Sequence, residues 1–184
     1  MRTRRLPLLF GLACAVTLSA AEPAVAAGKP DPWKPVRFLL GKREGAPEGQ
    51  PGRGNSVRAY AFTLGNRFIE VRNATDHPPQ ERNPKGEHHE DRSLFSYDRA
   101  RMKLVLRQFH LAGFVNHYVL DSVSAVGSTV ACASVAPENL PAGFRARETY
   151  TRVSDDAFTE LFEIAAPGKE FEKYSAARFA RTRN

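Results

Sequence analysis

Along most of this chain apolar and polar residues alternate, and no stretch sustains the helical repeat beyond a turn or two. Residues 87–120 show the pattern best. β-branched and aromatic residues are frequent there, and Asp98-Arg99-Ala100-Arg101 and Ala112-Gly113 fall where turns belong. Three consecutive strands are predicted: one ending at Tyr97, one over 102–111 and one over 114–120. Upstream, residues 56–64 place Arg58, Tyr60, Phe62 and Leu64 on one face and Val57, Ala59 and Ala61 on the other. Gly65-Asn66 then turns the chain, and 67–73 returns with Ile69 and Val71 sharing a face.

Downstream strands are predicted over 128–135, 144–153, 157–164 and 170–181. In the second of these Phe144, Ala146, Glu148, Tyr150 and Arg152 lie on one side. Residues 46–55 are rich in Gly and Pro, and 75–86 are polar with three prolines, so both read as loops. Residues 36–45 read as a short apolar strand broken by Gly41 and Gly45, after a lead-in over 27–33 that crosses the outside or plugs one end. About eight to ten strands at this spacing argue an all-β fold, a single antiparallel up-and-down barrel. Closed, such a barrel is wide enough to hold one small ligand.

The first 27 residues stand apart. Arg2, Arg4 and Arg5 precede an apolar run from Leu6 to Leu18, and Ala24-Val25-Ala26 supplies a small-x-small cleavage site, the pattern of a secretory leader. The run is shorter than the about 20 residues a membrane span needs, so no integral membrane segment is expected in the mature chain. Residues 28–184 are then one domain, exported to the periplasm or secreted. Losing three Arg and one Glu with the leader takes the net charge from +7 to +5. No stripe of basic residues interleaved with aromatics accompanies that charge, which argues against nucleic-acid binding. Cys132 is the one cysteine left, so no internal disulfide can form. It sits in a small-residue strand with no basic motif beside it and reads as a buried apolar side chain.

Several short motifs resemble a known group. Phe38-Leu-Leu-Gly-Lys-Arg-Glu-Gly45 resembles the opening strand of calycin-type barrels, the lipocalin-like and nitrobindin-like families. The Gly65-Asn66-Arg67-Phe68 hairpin, the Ser96-Tyr97-Asp98 turn and the Tyr150-Thr-Arg152 strand follow in the same order, so the likeness spans residues 36–181. It implies a ligand-binding barrel, and in its nitrobindin-like branch haem as a candidate cofactor. Two departures count against direct transfer. The family's tryptophan position is Arg43 here, and the last histidine is His117, whereas the nitrobindin-like proximal histidine lies near the C-terminus.

Three constellations could carry chemistry. A two-residue Ala112-Gly113 loop would pair Gln108 with His117 and set His110 diagonally beside them, with Leu104, Leu106, Val115 and Val119 on the same face. Two imidazoles on an aliphatic wall could bind an acidic head group, ligate a metal or haem iron, or move a proton near neutral pH. The competing arrangement turns that face to solvent and makes Phe109, Phe114 and Tyr118 the core. Tyr150 and Arg152 share a face two residues apart and resemble the Arg/Tyr pair with which fatty-acid carriers hold a carboxylate, in the opposite order. A cross-strand ion pair of Arg152 with an acid such as Glu160 or Glu163 is the alternative. His88-His89-Glu90-Asp91, with His77 upstream, has the composition of a metal cluster, but neighbouring strand residues point apart, so a solvated strand end is expected and no metal. No Gly-x-Ser-x-Gly, His-Glu-x-x-His or Cys-x-x-Cys is present, and no catalytic set is visible. The expected function is an exported barrel for a small apolar or amphipathic ligand, held by Gln108, His110, His117, Tyr150 and Arg152. The alternatives are a haem-binding barrel or enzyme using His110 or His117, and an envelope protein with a filled interior.

Overall fold

The computed structural model describes residues 31–182; the leader read in residues 1–27 lies outside them. Twelve strands follow a short 3₁₀ segment, Lys34–Leu39. They are β1 (Gly41–Gly45), β2 (Glu48–Gly49), β3 (Gly52–Arg53), β4 (Asn55–Thr63), β5 (Phe68–His77) and β6 (Glu87–Asp98). The second half is β7 (Lys103–His110), β8 (Val115–Val123), β9 (Thr129–Ser134), β10 (Arg145–Arg152), β11 (Ala157–Ala165) and β12 (Glu172–Arg181). Strands β4 to β12 pair in sequence order, all antiparallel, and β1 pairs with both β4 and β12. Ten strands therefore close a barrel. The ribbon β2–β3 is an appendage on β12, formed inside what the sequence read as a loop. No helix of the described residues is long and apolar enough to cross a membrane.

Closure depends on a close approach at the seam. Gly45 pairs with Phe179, and a Cβ on Gly45 would lie 2.6 Å from the Phe179 ring. Only glycine lets that ring fold over the joint while remaining fully buried. Inward-facing Tyr60, Ile69, Phe95, Leu106, Tyr118, Tyr150, Phe158 and Phe179 fill one half of the barrel. Each such aliphatic or aromatic side chain contributes roughly 1.5–3 kcal/mol by leaving water.

The strand expected over 36–45 begins only at Gly41. Pro35 sits in the first turn of the 3₁₀ segment, where its missing N–H costs nothing, and Val36 and Leu39, three apart, are brought onto one side and buried. Trp33 packs edge-on against Phe62 and Phe38 against Phe158, so this segment closes the barrel end already filled with core side chains. Arg43, fully buried, donates to the carbonyls of Phe38, Leu39, Leu40 and Asp156 and ties the plug to the barrel. The loop expected from residue 75 also starts later, because β5 runs to His77 and pairs there with Glu87.

Candidate functional site

The half of the barrel away from the plug is open. A cavity of about 410 Å³ lies there, within the range of small-molecule sites. Its mouth is apolar: Phe114, Leu140, Pro141, Phe144, Phe162 and Ile164 contribute. Its floor is polar and comes from inward positions of six strands, β4 to β7, β10 and β11.

Arg58 on β4 and Glu160 on β11 meet across the floor as a fork, Nη2 donating to Oε1 at 2.9 Å and Nη1 to Oε2. Arg58 Nε donates to Asn73 Oδ1 at 2.8 Å, and the Arg58 guanidinium lies 4.4 Å above the Phe179 ring. Asn73 Nδ2 in turn donates to Asp91 at 2.7 Å, and Ser93 donates to the other Asp91 oxygen at 2.9 Å. On the facing wall Gln108 Nε2 donates to Glu148 Oε1 at 2.7 Å, while the Tyr150 hydroxyl donates to Oε2. Breaking one partner of a buried pair such as Arg58–Glu160 costs about 3–5 kcal/mol, because the other charge is left without compensation.

Electrostatics follow from this packing. Burial pushes the Glu148 carboxyl up to about 7, and the neighbouring Glu160 charge adds to it. Tyr150, Arg58 and Gln108 pull the other way, with smaller effect. Burial lowers His110, which favours the neutral ring. Burial raises the Cys132 thiol, in accord with an inert apolar role. The Arg58 cation is spent on Glu160 and Asn73. Glu148, Glu160 and Asp91 leave the lining rich in acceptors, and the amide oxygens of Gln108 and Asn116 are buried without a partner. Since Gln108 must turn its N–H to the Glu148 carboxylate, its oxygen is the end left over.

The expected site residues divide into two groups. Gln108 and His110 line the cavity, and Tyr150 lies just beneath it, buried and bonded to Glu148. His117 does not join them. Strand β8 is displaced by one residue from the expected register, so Gln108 pairs with Asn116 and His117 with exposed Arg107, on the outer wall. The turn explains the shift. A two-residue loop of type I′ would need positive φ at both central residues, which Ala112 resists. Gly113 alone adopts it, at 86°, in a three-residue loop closed by Gly113 N–H to His110 O at 2.8 Å. One step of register turns every β8 side chain over, bringing Phe114, Asn116 and Tyr118 inside and sending Val115 and Val119 out. Arg152 is the second correction. It shares the inward parity of Tyr150 but lies at the strand's end, beyond the core, where its exposed guanidinium pairs with Asp155.

The histidines expected to hold haem do not fit it. His117 is outside, and His110 is stacked on Phe114 with ring centroids 4.0 Å apart. Asn116 Nδ2 lies 3.4 Å from His110 Nε2, so that nitrogen already faces a partner. Carboxylates reaching the floor would also meet Glu148, Glu160 and Asp91, with Arg58 already paired with Glu160.

Comparison with known proteins bears on the fold. The chain is similar in structure to Rv2717c from M. tuberculosis, with a TM-score of 0.62 at 17% identity over 82% of this chain and 97% of that one. The likeness shows a shared barrel. EF1p2_mFAP2b bound to DFHBI aligns with a TM-score of 0.32 at 9% identity, over 83% of this chain and 100% of that one. A protein of unknown function from the DUF3598 family of Nostoc punctiforme gives 0.21 at 10%, with the same coverage. Likenesses that loose carry nothing further. No family model and no curated protein matches the chain.

Sequence reasoning found Gln108 and Tyr150 but missed the rest of the floor. Arg58 and Glu160 are 102 residues apart and carried no joint signal, although each was assigned to a strand. Asn73 and Asp91 could have been found by pairing inward positions of adjacent strands, as their register now shows.

Proposed function

We propose that this protein binds a small amphipathic molecule whose apolar body occupies the mouth and whose hydrogen-bond-donating head group meets the floor. One observation carries the reading: a cavity of about 410 Å³ with an apolar entrance and an interior in which acceptors outnumber free donors. A buried acceptor without a partner costs about 1–3 kcal/mol, so a ligand bearing an amine, hydroxyl or amide N–H gains affinity by meeting it. An anionic head group would be set against Glu148, Glu160 and Asp91, with Arg58 already engaged. The resemblance to lipocalin-like barrels points the same way. Titration with a fluorescent amphiphile tests the proposal. Binding is expected to saturate at one molecule per chain and to be lost in Ala146→Phe, which fills the cavity from an inward β10 position. Saturable binding that survives Ala146→Phe would place the ligand elsewhere.

We further propose that binding takes place outside the cytoplasm. The basic, apolar and small-x-small run of residues 1–27 supports export, and a fold without a disulfide is held by core and strand pairing alone. Sequencing the N-terminus of the recovered protein is expected to begin near residue 28. A chain that retains Met1 and stays in the cytoplasmic fraction would refute export.

A further inference from the structure

The strand end dismissed as solvated polar surface closes into something more specific at the cavity rim. His77 ends β5 and pairs directly with Glu87, which opens β6; His89 lies two residues on, on the same face. Strand parity thus puts three donors on one side, while His88 points outward and pairs with Asp76. One ring nitrogen of each histidine and a carboxylate oxygen of Glu87 all lie within 4.8 Å of one another. His89 Nε2 is 3.3 Å from Glu87 Oε2, already near the separation of about 3.4 Å that two ligands take on a tetrahedral ion with bonds of 2.0–2.1 Å.

A second, independent feature singles out His77. The residue is buried, at a relative exposure of 6%, yet Nδ1 has no hydrogen-bond partner. Its ring is held edge-on to His89 at 5.8 Å, and the backbone at Gly54 presses on it so closely that a Cβ there would fall 2.7 Å from Nδ1. A buried imidazole fixed beside a second imidazole and a carboxylate supplies the donor types that a divalent cation takes.

We propose that His77, Glu87 and His89 bind one divalent transition-metal ion, zinc in the first instance. Two imidazoles and one carboxylate suit zinc, and three protein ligands leave a coordination position open. Both histidines line the cavity, so water or a ligand atom can reach the ion from that side. Asp91, two residues beyond His89 on the same face, adds negative charge nearby while its oxygens are held by Asn73 and Ser93. The proposal does not rest on the ligand reading above.

The test is titration of the untagged full chain with Co2+, followed by visible d–d absorption, and with Zn2+ in competition with a chromophoric chelator. One ion per chain is expected. His89→Ala and Glu87→Gln are expected to weaken binding by about 100-fold or more, beyond the about 10–100-fold that outer-shell partners carry. His88→Ala, one residue away on the opposite face, is expected to leave affinity unchanged. The His89 and Glu87 side chains are 48% and 36% exposed, so those two variants keep the test valid should His77→Ala fail to fold. No stoichiometric binding, or equal losses in His88→Ala and His89→Ala, would overturn the site.

Discussion

Glu148 shows how one buried side chain links stability to pH. Its folded value of about 7 lies above the ordinary glutamate range, because burial and the Glu160 charge penalise the ionised form. Between about pH 4.5 and 7 the folded chain therefore holds a proton that the unfolded chain has released, and stability falls as pH rises. Above 7 both states are ionised and the loss is complete. Replacement by Gln removes the titration and preserves the partners, its oxygen accepting from Gln108 and its amide donating to the Tyr150 oxygen. Wild type is expected to lose up to about 3 kcal/mol relative to Glu148→Gln between pH 5 and pH 8. Urea unfolding of both proteins at the two pH values measures this. Parallel stabilities across that range would contradict the assignment. Little of this was legible locally: the sequence placed Glu148 on the face of Tyr150, and Glu160 comes near through the β10–β11 hairpin, where it pairs with Tyr150, but Gln108, 40 residues away, and Arg58 reach it only across the barrel interior.

Among the elements, strand identity was easier to read than register. Alternation identified the β6–β7–β8 meander because each strand has one dry face, yet the side-chain period of two makes a single-residue error reverse a whole strand. The positive φ of Gly113 decided which histidine is inside. The N-terminal segment failed differently. Phe38 and Leu39 looked like strand residues, but an apolar pattern two or three residues long fits a 3₁₀ turn equally well, and burial against Phe158 selected the turn. Arg43, which stands where the resembling family has tryptophan, became the clasp of that turn. Arg43→Met is expected to leave the carbonyls of Phe38, Leu39 and Leu40 without their donor, Asp156 O keeping the Arg181 N–H, and to cost about 3–5 kcal/mol in unfolding stability. Amphiphile affinity should change less than about twofold, since the cavity is at the opposite end. An unaltered urea midpoint would show that the clasp contributes nothing.

For the molecule as a whole, a closed ten-strand barrel divides along its axis. Aromatic and aliphatic side chains and the 3₁₀ plug fill one half; charged and amide side chains pave the floor of the other. The all-β architecture was legible because alternation is a local signal repeated along the chain. The polar floor was not, because its two sides, Arg58–Asn73–Asp91 on β4 to β6 and Glu148–Glu160 on β10 and β11, meet only across the closed barrel. Gln108 and His110 were found, whereas Arg58, Glu160, Asn73 and Asp91 emerged only from strand pairing.

The claim of an interior suited to donor-bearing ligands is tested most directly by comparing fluorescent amphiphiles of equal chain length that end in an amine, an alcohol or a carboxylate. The amine and alcohol are predicted to bind saturably, with the carboxylate at least about tenfold weaker at pH 8, one factor of ten being about 1.4 kcal/mol. A carboxylate that binds as tightly as the amine, or tighter, would contradict the account.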